Sequence, residues 1–357
     1  MASLLSIINS ARRNWQYLLP FKRRLGYIGW LGFGNLGDEA MYTAYQKLFS
    51  QYNILPFKYT EKIKKLEKIT KRRFFHAVQL GGGTLINEPG YLEKIKLAQE
   101  NAFLTFVLGA GVRNPAFWDT KKQPNYLPEW VECLRKAFYV GVRGPLSKKI
   151  LAENGFSQTE VTGDPALFFG RDKIVRKKHN KKLGINFGVA NGNVWGSEKG
   201  IFDFILRLTQ KMQADGWEVT YLPVFYKDVS FIEEAARQNR SVKICYDYKS
   251  FKKTLDFLEQ CDLFIGQKLH SVIFAMCVHT PSIMLEYRPK CLDFMMSMDM
   301  EEFTMRTDNL DIEKILFLID KLENDLYGFQ EKIWQKVNFY RSLQIEKAEY
   351  IIKYLTN

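Results

Sequence analysis

The sequence predicts an α/β fold of two Rossmann-like lobes, each with a mostly parallel sheet. Short apolar runs typical of strands alternate with helical stretches along most of the chain, as in parallel sheets that carry helices on both faces. Several of the runs end in glycine-rich turns. The alternation stops in a basic stretch at residues 171–182 and then starts again, and a length of 357 residues allows two domains.

Each element follows from the period of its apolar residues and from the turn residues around it. The predicted strands of the first lobe are at residues 24–30, 54–59, 77–80, 103–108 and 137–142. Those of the second lobe are at 183–187, 217–224, 242–246, 261–265 and 282–287. Helical periodicity is clear at 36–49, 201–214 and 312–354. The predicted organisation is an N-terminal segment at 1–24, lobes at 25–170 and 183–310, a linker at 171–182 and helices at 311–357.

A net charge of +13 predicts an anionic partner, such as nucleic acid, a phospholipid surface or a phosphorylated small molecule. The most basic stretch, residues 62–73, is predicted to be a solvated helix; no nucleic-acid-binding motif accompanies it, so nucleic acid is not expected. Five scattered cysteines without a C-x-x-C pair give no sign of a zinc site or a disulfide framework. Free thiols suit the cytoplasm, and no apolar run approaches the ~18 residues of a membrane span.

The N-terminus has an amphipathic pattern. Leu4, Ile7, Ile8 and Trp15 fall within one arc of a helical wheel, and the basic group at 22–24 follows. Such a helix can lie in an anionic membrane interface, which would place the protein peripherally on the cytoplasmic face. The alternative is a helix that packs on the protein itself.

The most informative stretch is GQKLHS at residues 266–271, which closes a predicted strand and opens a helix. Ligands of α/β proteins bind at the carboxyl ends of strands, and helix N-termini favour anions. Lys268 and His270 therefore predict an anion site with a proton donor beside it. The alternative is a surface lysine and a histidine that caps its own helix.

A second stretch, GFGNLG at residues 32–37, matches the dinucleotide-binding pattern G-x-G-x-x-G. Asp38 and Glu39 follow directly, however, and place carboxylates where a pyrophosphate would bind. An NAD-dependent oxidoreductase is therefore disfavoured. The two acids either cap the helix or accept protons and hydrogen bonds from sugar hydroxyls.

Other predicted strand ends carry glycines or a cation. Gly82 and Gly83 follow the strand at 77–80, and residues 109–111 follow the next strand. Glycine lets the backbone turn tightly and approach a ligand closely. Arg143 ends a further strand, where its guanidinium fits a carboxylate or a phosphate, or forms a salt bridge.

Taken in order, these stretches resemble the motifs of the polysaccharide pyruvyl transferase family. The matching pieces are GFGNLGDEA at 32–40, GGGTL at 81–85, GAGVR at 109–113, VRGPLS at 142–147, VTGDPA at 161–166, GQKLHSVIFA at 266–275 and PSIMLEYRPK at 281–290. The family usually has arginine, in an R-L-H triplet, where this chain has Lys268. A lysine binds phosphate as a point charge and lacks the bidentate fork.

The resemblance implies a GT-B-like arrangement of the lobes and transfer of a pyruvyl group from phosphoenolpyruvate to two hydroxyls of a sugar. The products are a cyclic ketal and phosphate. The implied acceptor is a cell-surface polysaccharide or its lipid-linked precursor. Phosphoenolpyruvate acts as donor substrate, and neither a cofactor nor a metal is expected.

On this resemblance His270 is the expected general acid, and the base is Asp38, Glu39 or Asp164. The cations expected to bind the donor are Lys268, Arg143, Arg113 and Lys290. The matching motifs also imply substrate contacts at Gly34, Asn35, Gly82, Gly83, Asp164, Leu269 and Tyr287. Two alternatives stay open: a GT-B nucleotide-sugar glycosyltransferase, and a homologue that binds anionic glycan without catalysis.

Overall fold

The computed structural model describes residues 23–175 and 179–356, and the predicted N-terminal amphipathic helix lies outside this range. Backbone contacts divide the described chain into two units. Unit 1 contains residues 23–33, 38–165 and 342–356, and unit 2 contains residues 34–37 and 166–341.

Unit 1 is built on a sheet of seven described strands, and all the strand pairs recorded in it are parallel. Their order is β2-β1-β3-β5-β6-β7, and β4 pairs with β5 beside this path. The strands are β1 Arg24–Ile28, β2 Asn53–Pro56, β3 Ala77–Leu80, β4 Gly83–Ile86, β5 Leu104–Val112, β6 Tyr139–Val142 and β7 Glu160–Val161. The helices between them are α1 Leu36–Leu48, α2 Glu61–Thr70, α3 Pro89–Glu100, α4 Pro115–Asp119, α5 Leu127–Arg135 and α6 Pro145–Glu153.

Unit 2 has a six-stranded parallel sheet in the order β10-β9-β8-β11-β12-β13 within the described residues. The strands are β8 Lys182–Asn186, β9 Glu218–Tyr221, β10 Lys243–Ile244, β11 Leu263–Gly266, β12 Ser282–Glu286 and β13 Thr304–Arg306. The helices are α7 Glu198–Ala214, α8 Val229–Gln238, α9 Phe251–Leu258, α10 Leu269–Cys277, α11 Pro289–Ser297, α12 Ile312–Asn324 and α13 Leu326–Thr356. The last helix contributes residues 342–356 to unit 1.

Local sequence explains most of these elements. The central strands β3, β11 and β12 are buried along their whole length, as expected for parallel strands that are covered on both faces. Five helices carry proline in their first turn, where its missing N–H costs nothing. The predicted α/β class with parallel sheets is confirmed.

One glycine-rich stretch, residues 109–111, has a different structure from the predicted turn. Strand β5 continues to Val112, so residues 109–111 lie inside a strand and not in a turn after it. The reason is β4, a strand that the prediction lacks, which pairs with this extended end of β5. Strand β13 is also absent from the prediction, since three residues are too few to show a period.

The basic segment predicted as a linker, residues 171–182, lies within unit 2 as far as it is described. Arg171 forms ion pairs with Asp256 at 2.9 Å and Glu259 at 3.3 Å. Lys182 already begins β8. The contact boundary between the units falls after Pro165, because these bonds attach the segment to unit 2.

The predicted C-terminal helical tail divides into α12 and α13 at Asp325. The end of α13 packs on unit 1, where the rings of Tyr354 and Phe138 stack with their centroids 4.2 Å apart. The side-chain amide of Gln344 donates to the carbonyls of Thr162 and Asp164 at 3.0 and 2.9 Å. In the described part of the chain no helix is long and apolar enough to span a bilayer.

Candidate functional site

Lys268 lies at the carboxyl edge of the sheet of unit 2, between β11 and α10. It is the N-cap of α10, and its backbone N–H donates to the Asn186 side-chain oxygen at 2.9 Å. The Asn186 amide in turn donates to the Leu222 carbonyl at 2.7 Å. The fully buried Asn186 thus ties together the ends of β8, β9 and β11 and fixes the backbone of Lys268.

The ammonium of Lys268 forms an ion pair with a buried acid. Its Nζ lies 3.3 Å from Oδ1 of Asp228 and donates to the Val189 carbonyl. Asp228 is fully buried, and this burial raises the pKa of its carboxyl to about 6 although Lys268 favours the charged form. The Lys268 side chain keeps 15% exposure, so its outer side can still meet a ligand.

Three cations surround the ring of Tyr287, which ends the neighbouring strand β12. The Nζ atoms of Lys268 and Lys290 lie 5.8 and 5.1 Å from the ring centroid, and the Arg288 guanidinium lies 5.1 Å from it. Burial alone raises the pKa of Tyr287, but these cations outweigh it and lower that pKa below its ordinary value. The lowered pKa shows a local field that favours negative charge.

Two helix N-termini add to this field. Helix α10 begins after Lys268, and α11 begins after Arg288 with Lys290 in its first turn. Because β11 and β12 are adjacent parallel strands, both helix starts lie at the same edge of the sheet. The positive ends of the two helix dipoles favour an anion there.

His270 lies in the first turn of α10 and is half-buried. Its imidazole packs against Gly37, where a Cβ atom would lie 2.0 Å from Nδ1. Asn35 forms an isolated bridge with Phe225, and Gly34 has a φ of +71°, which favours glycine. Unit 2 therefore brings together His270 and the glycine stretch, which are far apart in sequence. Leu269, beside His270, is buried and faces the core.

The predicted bases belong to unit 1. Asp38 and Glu39 occupy the first turn of α1, and Glu39 accepts a hydrogen bond from the Gly32 N–H at 2.8 Å. Glu39 thus fastens the glycine loop to the helix. Asp38 faces the glycines after β3, since a Cβ atom on Gly83 would lie 3.7 Å from its Oδ1. Gly82 is closely packed, because a Cβ atom there would lie 2.3 Å from the Met41 sulfur.

The other predicted residues of unit 1 are deeply buried. Arg113 is 3% exposed, pairs with Glu88 at 3.3 Å, and stacks on Trp118 at 4.2 Å. Arg143 is 1% exposed; its guanidinium lies over Gly111, where a Cβ atom would be 2.2 Å from Nη2. Asp164 is also fully buried. Arg113 therefore forms a buried ion pair with a structural role. Arg143 and Asp164 lie beneath the protein surface of unit 1.

Some residues that the structure places at the site are not among those singled out from the sequence. Asp228 lies several residues after the end of β9 and belongs to no sequence motif. Arg288 donates to the carbonyls of Asn193 and Ala190 at 2.6 and 3.2 Å, so it holds the loop after β8. The rings of Trp30 and Phe33 stack with their centroids 5.1 Å apart. The aromatic and apolar run after β1 is the sequence feature that could have indicated this pair.

No three His, Cys, Asp or Glu side chains in the described ranges are grouped as metal ligands would be. At the carboxyl edge of its sheet, unit 2 offers cations, helix N-termini and an imidazole. Such a set can bind a small anion and deliver a proton next to it.

Solved structures share this fold at low identity. They include S. aureus MnaA with UDP (TM-score 0.58, 12% identity, 94% of this chain and 97% of that chain covered). The UDP-GlcNAc 2-epimerase of Neisseria meningitidis bound to UDP-GlcNAc gives a TM-score of 0.55 at 13% identity, covering 89% and 90%. The glycotransferase of kitacinnamycin gives 0.55 at 10% identity, covering 94% and 99%. These similarities show the fold alone, which is the predicted GT-B-like fold of two Rossmann-like domains.

The sequence comparisons are more specific. No curated protein matches the chain significantly. The model of the family "Polysaccharide pyruvyl transferase" matches residues 35–289, which is more than half of the chain. This range begins within the glycine stretch at 32–37 and contains the Lys268–His270 segment and all of β12. The chain therefore belongs to the polysaccharide pyruvyl transferase family.

Proposed function

We propose that this protein transfers a pyruvyl group from phosphoenolpyruvate onto two hydroxyls of one sugar and releases phosphate. The sugar belongs to a cell-surface polysaccharide or to its lipid-linked precursor. The observation that carries this proposal is the cation cluster of Lys268, Arg288 and Lys290 around Tyr287, with His270 two residues after Lys268 in the first turn of α10. Membership of the family supports the reaction class.

Phosphoenolpyruvate carries a phosphate and a carboxylate, so its site needs several positive groups. Lys268 supplies one N–H donor beyond its bonds to Asp228 and Val189. Lys290 supplies a second cation at the start of α11. The N-termini of α10 and α11 supply backbone donors. Because Asp228 and Val189 hold the ammonium of Lys268 in one position, this ammonium can bind phosphate as a fixed point charge without the bidentate fork of an arginine.

The proposed chemistry begins with a proton from His270 to the methylene carbon of the donor, which becomes a methyl group. The neighbouring carbon becomes an electrophilic, oxocarbenium-like centre, and the first sugar hydroxyl adds to it while a carboxylate takes the hydroxyl proton. Phosphate then leaves with the electron pair of the C–O bond. The second hydroxyl then bonds to the same carbon and closes the ketal. Its proton returns the imidazole of His270 to the acid form, and the proton taken by the carboxylate goes to the released phosphate.

We assign the base role to Asp38 among the three predicted carboxylates. Glu39 is engaged with the Gly32 N–H, and Asp164 is fully buried. Asp38 keeps 9% exposure and lies beside Gly83, which has a φ of +97° and no side chain. A ligand can therefore approach this carboxylate closely.

For the acceptor we assign the exposed rings of Trp30 and Phe33, in the loop after β1. They are 37% and 57% exposed and stack on each other at an interplanar angle of 24°. Ligand sites combine aromatic surfaces with a few polar groups. Here the polar groups are the carboxylates of Asp38 and Glu39 in the helix that follows the loop, which accept hydrogen bonds from sugar hydroxyls.

A nucleotide-sugar glycosyltransferase is the second candidate. Two of the structurally similar proteins are described with UDP or UDP-GlcNAc bound, and one is described as a glycotransferase. Such an enzyme would use the cations of unit 2 for a diphosphate. A non-catalytic glycan-binding homologue would bind anionic sugar without releasing phosphate.

One experiment separates these functions. The purified chain is tested by thermal shift against phosphoenolpyruvate, UDP and UDP-GlcNAc, and phosphate release from phosphoenolpyruvate is then measured with a panel of sugar acceptors. Pyruvyl transfer requires stabilisation by phosphoenolpyruvate and acceptor-dependent phosphate release, both lost in Lys268→Met. Stabilisation by UDP-GlcNAc without any effect of phosphoenolpyruvate would establish the glycosyltransferase. Sugar binding without release of phosphate would establish the non-catalytic homologue.

A further inference from the structure

Helix α2 of unit 1 is unusual because none of its residues is buried. Two of its apolar side chains point into solvent: Leu66 is 46% exposed and Ile69 is 79% exposed. Ile69 is the most exposed of the large hydrophobic residues in the described ranges. A helix normally turns its apolar residues toward the core, so this face calls for a partner.

The exposed apolar pair lies among lysines. Residues three and four apart share one face of a helix, which groups Leu66 and Ile69 with Lys62 and Lys65. All four side chains are exposed. We call these four residues the α2 basic face. The half-buried Ile63, next to this face on the helix, packs against the core, so α2 cannot rotate this face inward without losing that contact.

The charge around this face is strongly positive, and two ion pairs within the segment, Lys64–Glu61 at 2.7 Å and Arg73–Glu67 at 3.7 Å, neutralise only part of it. Residues 61–73 contain seven Lys and Arg against two Glu, a net charge of +5. Glu67 points inward, where it accepts from the Tyr59 hydroxyl at 2.5 Å and the Phe74 N–H at 2.6 Å.

The basic surface continues beyond the helix. Residues 71–73, directly after α2, are all cationic and exposed. They lead into β3, whose amino end lies beside that of β1, where Arg23 is exposed. This is the amino edge of the sheet, opposite the carboxyl edge with the glycine turns. A partner bound here leaves the carboxyl edge of unit 1 uncovered.

We propose that the α2 basic face docks unit 1 on an anionic phospholipid surface. Lysines attract acidic headgroups, and each basic side chain near such a surface contributes about fivefold to binding. Leu66 and Ile69 lie between the lysines, where they insert into the boundary of headgroups and acyl chains. Nucleic acid would use the lysines but has no use for two aliphatic side chains in the centre of the face. The inference is independent of the reaction proposed above.

The test is co-sedimentation of the full chain with vesicles of phosphatidylcholine alone or mixed with phosphatidylglycerol. We expect binding to the mixed vesicles only, with loss at high salt. Leu66→Ser/Ile69→Ser and Lys62→Gln/Lys65→Gln should each weaken it about tenfold or more. The matched controls are Lys148→Gln/Lys149→Gln, an exposed lysine pair on α6, and Phe317→Ser, an exposed aromatic on α12. Both should bind like the wild type.

Several outcomes would overturn the proposal. If Leu66→Ser/Ile69→Ser binds vesicles like the wild type, the apolar pair does not insert. If both α2 variants bind normally, another part of the chain, such as residues 1–22, is responsible. If the wild type ignores vesicles but binds a labelled RNA that Lys62→Gln/Lys65→Gln no longer binds, the face is a nucleic-acid site. Circular dichroism of each variant confirms that unit 1 is still folded.

Discussion

The carboxylate of Asp228 lies 3.3 Å from the ammonium of Lys268 and is completely buried beneath it. A buried acid beside a lysine that keeps only 15% exposure fixes the lysine in one position, because leaving that position would strand a charge in the interior. Val189 reinforces the arrangement through its carbonyl, which accepts from the same ammonium, and its N–H, which donates to Asp228 at 3.2 Å. The ammonium of Lys268, which is the proposed anion-binding group of unit 2, is therefore preorganised.

The first prediction concerns this pair. Asp228→Asn keeps the shape but removes the charge, so the ammonium of Lys268 loses its anchor and KM for phosphoenolpyruvate should rise about tenfold. Burial raises the pKa of Asp228 to about 6, so the wild type should lose donor affinity as the pH falls below about 6. The measurement is KM against pH for both proteins.

The phosphate of the donor also has a pKa of about 6. Its protonation changes the KM of both proteins in the same way. The informative quantity is therefore the ratio of the two KM values, which should approach one at low pH. A ratio that does not change with pH would show that Asp228 has no role in holding the lysine. Asp256→Asn, at an exposed ion pair of the same unit, is the control.

His270 provides the second prediction. His270→Gln should lower kcat for phosphate release by about 10²–10⁴, the usual contribution of a general acid, and leave the thermal shift by phosphoenolpyruvate intact. Gly37→Ala should reduce kcat as well, since its methyl group would lie 2.0 Å from Nδ1 and displace the ring. His76→Gln, at an exposed histidine of unit 1, should have no effect. A His270→Gln enzyme with wild-type kcat would remove His270 from the chemistry.

The third prediction is a pH dependence of stability. Glu286 is 5% exposed, and burial raises its pKa from 4.5 to about 7. Between these two values the folded state keeps a proton that the unfolded state has lost, so stability falls as the pH rises. The effect of this group amounts to about 3 kcal/mol at most.

Glu286→Gln stays neutral at every pH and removes this contribution. Relative to the wild type, the variant should therefore gain about 2–3 kcal/mol of unfolding free energy between about pH 5 and about pH 8. Urea unfolding at several pH values measures it. Glu301→Gln, an exposed acid of the same unit, should follow the wild type. Parallel curves for Glu286→Gln and the wild type would mean that the buried carboxyl titrates normally.

Gln344 supports the fourth prediction. Its buried amide donates to the carbonyls of Thr162 and Asp164 at 3.0 and 2.9 Å. Gln344→Leu leaves both carbonyls without this donor and should destabilise unit 1 by about 1–3 kcal/mol. Ile345→Gln, at the exposed neighbouring position, should change the unfolding free energy very little. Equal urea midpoints for Gln344→Leu and the wild type would refute the role of the amide.

The aromatic pair after β1 gives the fifth prediction. Trp30→Ala and Phe33→Ala should each raise KM for the sugar acceptor about tenfold, since a stacked ring is lost, and leave KM for phosphoenolpyruvate unchanged. Phe317→Ala removes an equally exposed ring from unit 2 and should leave both constants at their wild-type values. If KM rises for the donor alone, Trp30 and Phe33 contact the donor and the assignment to the sugar acceptor is wrong.

The sequence by itself determined the alternation of strands and helices, because burial on both faces leaves a run of apolar residues that is visible in one dimension. It also determined that Lys268 and His270 stand at a strand–helix junction, since both are local to one motif. The extension of β5 through its glycines escaped prediction, because that extension depends on pairing with β4.

Only the tertiary structure decided which groups surround those two residues. Asp228 is 40 positions from Lys268, and Gly37 is more than 200 positions from His270; neither has a periodic pattern that points to its partner. The return of Gln344 to the loop at Asp164 is equally invisible in sequence. Parallel pairing of β8, β11 and β12 brings distant strand ends to one edge, and the buried charges found there depend on that three-dimensional neighbourhood.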